Sequence, residues 1–83
     1  MKISQFYVKN QFILRDDNGN AFFQSYNSII ARRDRIGNIV LDARYWDYSK
    51  TTGKYRNLFL GEDKKETERK IAEGIYKLEN LNP

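Results

Sequence analysis

Apolar residues alternate in short groups over the first half of the chain and recur at spacings of three and four over the second half. Ile3, Phe6 and Val8, followed by Phe12-Ile13-Leu14, predict one or two strands within residues 2–15, with a bend at Asn10-Gln11. Asp16-Asp17-Asn18-Gly19-Asn20 predicts a hairpin turn, because Asn-Gly supplies two residues with φ > 0 at low steric cost. Ala21 to Ser25 reads as the returning strand, with Phe22 and Phe23 on opposite sides. After the polar break Tyr26-Asn27-Ser28, residues Ser28 to Arg33 read as a strand with Ile29 and Ala31 on one face and Ile30 and Arg32 on the other. Asp34 to Asn38 is a second turn, with Gly37 in the left-handed position. Ile39 to Asp42 returns with Ile39 and Leu41 on one side and Val40 on the other.

The period then changes. Ser49, Thr51 or Thr52 can cap a helix whose stripe is Thr52, Tyr55, Leu58 and Phe59, closed by Gly61. Asp63-Lys64-Lys65-Glu66 resembles a capping box and opens a second helix with Ile71, Ala72 and Ile75 as its buried stripe and Gly74 as its terminator. Tyr76 to Leu81 forms a tail that can return to the sheet through Leu78 and Leu81. The expected fold is one α+β domain over residues 1–83. A three- to four-stranded antiparallel sheet of two hairpins is followed by two short helices packed on one face.

Composition narrows the chemistry. The 83 residues contain neither Cys nor His, which removes disulfides, the usual zinc sites and a Ser-His relay. No run reaches the roughly 20 apolar residues of a membrane span, and the first residues do not read as a signal peptide, so a cytoplasmic protein without membrane contact is expected. Fifteen Lys+Arg against eleven Asp+Glu leave a net charge of +4, which suits an acidic protein surface or nucleic acid.

Basic and aromatic residues interleave between Arg32 and Arg56. Arg32, Arg33, Arg35, Arg44, Tyr48, Lys50 and Lys54 are the candidate partner-binding residues, because charged side chains there resist burial. Such a set fits a protein hot spot or a phosphate backbone with stacked bases. Trp46, Tyr55 and Phe59 read more simply as core. Gly53 and Lys54 beside the hydroxyls of residues 49–52 do not match phosphate-loop spacing, so capping is the preferred reading. Asp42 and Asp47 are the carboxylates nearest to aromatics; hydrogen bonding at the turn before the helix suits Asp47 better than acid–base work. No catalytic, cofactor or metal residues are assigned, and an enzyme is not expected.

The stretches Phe23 to Tyr26, Ile29 to Ala31, Tyr45-Trp46-Asp47-Tyr48-Ser49-Lys50-Thr51-Thr52-Gly53-Lys54-Tyr55 and Phe59-Leu60-Gly61 resemble a family of small uncharacterised proteins carried by phages and conjugative elements of Gram-positive bacteria. Its members pair a W-D-Y-S-x-T-T motif with F-L-G, and the resemblance runs from Phe12 onward. It implies a mobile-element origin. By analogy with small phage proteins, it implies a non-enzymatic accessory protein that binds and inhibits or modulates a host protein or ribonucleoprotein, an anti-CRISPR inhibitor being the concrete form. The alternative is a small basic DNA- or RNA-binding factor, and either could be a monomer or a dimer.

Overall fold

The alternating half of the chain becomes five consecutive antiparallel strands: β1 (Lys2–Phe6), β2 (Val8–Arg15), β3 (Ala21–Ser25), β4 (Ser28–Arg33) and β5 (Ile39–Asp42). Helices α1 (Lys50–Leu60) and α2 (Lys64–Ala72) follow, and β6 (Lys77–Glu79) closes the sheet. This computed structural model describes residues 1–83. The strands lie in chain order from β1 to β6, and only β6, beside β5, is parallel. The sheet therefore has six strands where three or four were expected, within the expected α+β class.

Each extra strand has an identifiable cause. The chain reverses at Tyr7, not at Asn10-Gln11, so residues 2–15 split into two full strands. Asn10 still leaves the regular path at φ 71, in the stretch where the β1–β2 register slips. The tail does return to the sheet, and it does so in parallel because α1 and α2 form the crossover that such a connection needs.

One row of paired residues sets the core. Ile13 faces Phe23, Phe23 faces Ala31 and Ala31 faces Leu41 across β2 to β5, and all four are buried. Tyr55 and Phe59 of α1 and Tyr76 complete the cluster, with the Phe59 ring stacked on Phe23 at 5.8 Å and edge-on to Phe6 at 6.4 Å. Phe22 points to the other face, as expected. The expected split of β4 fails, because a bulge opposite Phe23/Gln24 puts both Ile30 and Ala31 into the core and leaves Ile29 half-buried.

The first turn is built differently from a two-residue Asn-Gly hairpin. The Asp16 carboxylate accepts the N–H groups of Asn18 and Asn20, each at 2.9 Å, and only Gly19 has a positive φ, 85°. In α1, Ser49 is the N-cap and accepts the Thr52 N–H at 3.1 Å, while Gly61 at φ 72 closes the helix. The buried stripe is Thr52, Tyr55, Arg56 and Phe59; Leu58, expected inside, is 45% exposed. Arg56 takes the inner position because Trp46, Asp47 and Asn57 supply acceptors to both of its terminal nitrogens, while its buried Nε has no partner.

The expected stripe of α2 is also redistributed. Asp63 caps the helix by accepting the Glu66 N–H at 2.9 Å. Only Thr67 is fully buried and Ile71 half-buried; Ala72 and Ile75 are exposed. The helix stops at Ala72, and the left-handed turn at Gly74 swings Tyr76 into the core in place of Ile75.

Candidate functional site

Hairpin geometry sorts the loops into two ends. The turns at 16–20 and 34–38 share one end; Tyr7, Tyr26-Asn27 and the segment from Ala43 to Ser49 share the other. The seven residues expected to form a binding face are divided by this arrangement. Arg32 pairs between Phe22 and Val40, on the sheet face opposite the helices, and is half-buried. Arg33 lies under α1 against Phe59. Arg35 is exposed in the far turn, beside Gly19. Arg44, Tyr48, Lys50 and Lys54 are all exposed and belong to the near end and the first turns of α1.

The near end is therefore the candidate site, and sequence reasoning missed several of its parts. Tyr7 and Tyr26 have φ values of 69° and 55°. The left-handed region is uncommon for bulky residues, where Gly or Asn would sit with less strain. Both rings nevertheless stand out, 68% and 50% exposed, and Tyr48 is 69% exposed. Tyr7 leans toward Tyr55 across 6.4 Å, and Lys54 Nζ lies 5.4 Å from the same Tyr55 ring. Tyr45 holds Tyr48 edge-on at 5.6 Å and carries the Arg44 guanidinium 5.4 Å above its ring. The two-residue gap between the strands ending at Ser25 and starting at Ser28 was the signal for Tyr26, since such loops favour φ > 0 at their first position.

Buried polar groups fix the segment that carries these rings. Asp42 accepts the Arg44 and Tyr45 N–H groups at 3.0 and 2.8 Å and the Leu81 N–H at 2.8 Å. Burial pushes its carboxyl up, but these backbone donors outweigh it and hold the group below the ordinary carboxylate value. Arg56 is 1% exposed. It donates to the Trp46 carbonyl at 2.8 Å, the Asp47 carboxylate at 3.2 Å and the Asn57 side-chain oxygen at 2.9 Å, with the Trp46 ring 5.1 Å away. Asp47 also receives Lys64 at 2.7 Å. Burial raises the Asp47 carboxyl, yet the hydrogen bonds and charges of Lys64 and Arg56 bring it below its usual value. Asp42 and Asp47 are thus occupied in holding the segment, as expected for Asp47.

Behind α2, Glu62 accepts Lys70 Nζ at 2.7 Å, the Tyr76 hydroxyl at 2.8 Å and the Thr67 hydroxyl at 2.6 Å. Glu62 is thereby a junction between the two helices and the tail. The largest cleft, about 740 Å³, lies at the far end. Its lining includes Asp34, whose carboxylate is already taken by the N–H groups of Ile36 and Asn38.

A family model described as a family of unknown function (DUF8033) matches residues 2–74. The chain belongs to this family. The matched region holds β1 to β5 and both helices, and stops before β6. No curated protein and no solved structure matches the chain. No helix is long and apolar enough to cross a membrane.

Proposed function

We propose that this family member is a non-enzymatic binding module that docks on a macromolecular partner through the tyrosine-bearing near end. The observation that carries this reading is the pair Tyr7 and Tyr26. Two bulky residues occupy strained backbone positions and keep half or more of their surface exposed, although Tyr7 also meets Phe6 edge-on at 4.7 Å. Exposed Tyr beside Arg and Lys is the composition of interface hot spots. The absence of Cys and His from the sequence, and the engagement of Asp42 and Asp47 with backbone and guanidinium groups, support a role without catalysis.

A phage or mobile-element origin, with a host protein or ribonucleoprotein as the partner, belongs to this proposal and rests on the resemblance of the W-D-Y-S-K-T-T and F-L-G motifs. An anti-CRISPR inhibitor is its most specific form. Affinity capture from a Gram-positive lysate that retains its nucleic acids tests it, run with the parent and with the double variant Arg44→Ala/Tyr48→Ala. A protein held by the parent and released by the variant supports docking at this end. Equal capture by both, or capture by neither, overturns it.

A further inference from the structure

Residues between Tyr45 and Lys50 contribute to the linings of two open cavities that differ in their residue types. On one side is a cavity of about 540 Å³ with no apolar residue in its lining. Lys50, Lys54, Lys64 and Arg56 bring four cations to it, and Asp47 is its one carboxylate. Asp47 is already shared by Arg56 and Lys64, and Lys50 and Lys54 take part in no ion pair. Excess positive charge in a polar cavity fits an oxyanion.

On the other side is a cavity of about 400 Å³ whose lining includes Tyr26, Tyr45, Tyr48 and Ile30. Its aromatic rings fit a flat, apolar-faced group. The Tyr26 backbone is fixed there by donation of its N–H to the Asn10 carbonyl at 2.7 Å and by acceptance of Gln24 Nε2 at 2.7 Å.

Lys50 lines the first cavity and Tyr48, two residues earlier, lines the second, so a ligand that alternates anionic groups with flat rings has a chemical partner in each. Resting on the reading of this end as the docking surface, we propose that it binds single-stranded nucleic acid. A backbone phosphate enters the lysine-lined cavity, and neighbouring bases stack on Tyr48 and Tyr26. A duplex would present phosphates but keep its base faces stacked away from the rings. Phosphate contacts supply the affinity, and stacking supplies the preference for single strands without reading a sequence.

Fluorescence anisotropy with labelled oligothymidine, oligouridine and a duplex of the same length, over a salt series, tests this. The parent should bind the single strands more tightly than the duplex, with log K falling as log salt rises. Lys50→Ala/Lys54→Ala should make that slope shallower by about 0.7, the contribution of the one single-strand phosphate contact this cavity makes. Tyr48→Leu should weaken binding by about five- to a hundredfold while Tyr48→Phe keeps it, because stacking needs a ring. Tyr26→Gly should weaken binding and raise the melting temperature together, a combination that a purely structural tyrosine would not give.

Duplex bound as well as single strand, or Tyr48→Leu binding like the parent, overturns the inference. So does a parent that binds no strand at low salt. If that parent still captures a lysate protein through Arg44 and Tyr48, the docking end stands and its partner is protein; if it captures none, both readings fall.

Discussion

The Arg33 guanidinium lies over the ring of Phe59, 4.4 Å from its centroid, and donates to the Phe59 backbone carbonyl. The charge that sequence reasoning assigned to a partner thus secures α1 to β4. Arg33→Ala should cost about 2–4 kcal/mol, the sum of a half-buried cation–π contact and a charged hydrogen bond. Arg35→Ala, in the exposed far turn, should change stability by less than about 0.5 kcal/mol. Phe59→Ala should cost about 3–5 kcal/mol, because the ring is buried against Phe23 and Phe6. Urea melts of the three variants check the order Phe59, then Arg33, then Arg35; an Arg33 variant as stable as the Arg35 variant would show that the contact is absent in solution.

Gly19 combines two constraints. Its φ is 85°, and a Cβ at this position would come within 2.7 Å of Arg35 Cβ in the neighbouring turn. The obstacle is the root of a side chain, so it cannot rotate away. Gly19→Val should therefore destabilise by more than the roughly 1 kcal/mol of a simple backbone penalty. Gly19→Asn, which tolerates the left-handed region, should be less destabilising than Gly19→Val but still below the parent. Thermal denaturation of both decides it, and a Val variant that melts with the parent would mean the two turns do not touch.

Acid should unfold the protein through its held carboxylates. Asp42, Asp47 and Glu62 are all below their ordinary values in the folded state, burial opposing and hydrogen-bond donors prevailing. Folded values below unfolded ones give stabilisation that is complete above the unfolded carboxylate range and lost as pH falls through the folded values. The urea midpoint should thus hold from neutral pH down to about 5 and drop below about 4. Asp42→Asn leaves one acceptor oxygen and sets an NH2 donor against the N–H of Leu81 or those of Arg44 and Tyr45, and should cost about 1–3 kcal/mol at neutral pH. Its decline in acid should be shallower than the parent's, and an equally steep decline would remove Asp42 from this account.

Much of the fold is determined locally. Short apolar runs bounded by turn residues mark β3, β4 and β5, and Asp16, Ser49, Gly61 and Asp63 each close a turn or helix end through their own near neighbours. Such features depend on backbone geometry and on partners a few residues away, so the sequence by itself determines them, along with the lack of Cys and His. The tertiary structure decides what depends on distant partners. Arg56 is a charged residue that the pattern sends outward; it turns inward because Trp46 and Asp47, ten and nine residues earlier, supply its acceptors. Leu81 reaches Asp42 across 39 residues of chain, which fixes β6 beside β5 and with it the loop that carries Tyr48. The candidate site follows the same rule. Lys50, Lys54, Arg44 and Tyr48 were legible as exposed residues, but only the packing of three separate loops at one end of the sheet sets Tyr7 and Tyr26 at the same end and leaves Arg33 and Arg35 elsewhere. Long-range pairing selects which charges are satisfied inside and which remain free to meet a partner, and no local window of sequence contains those pairs.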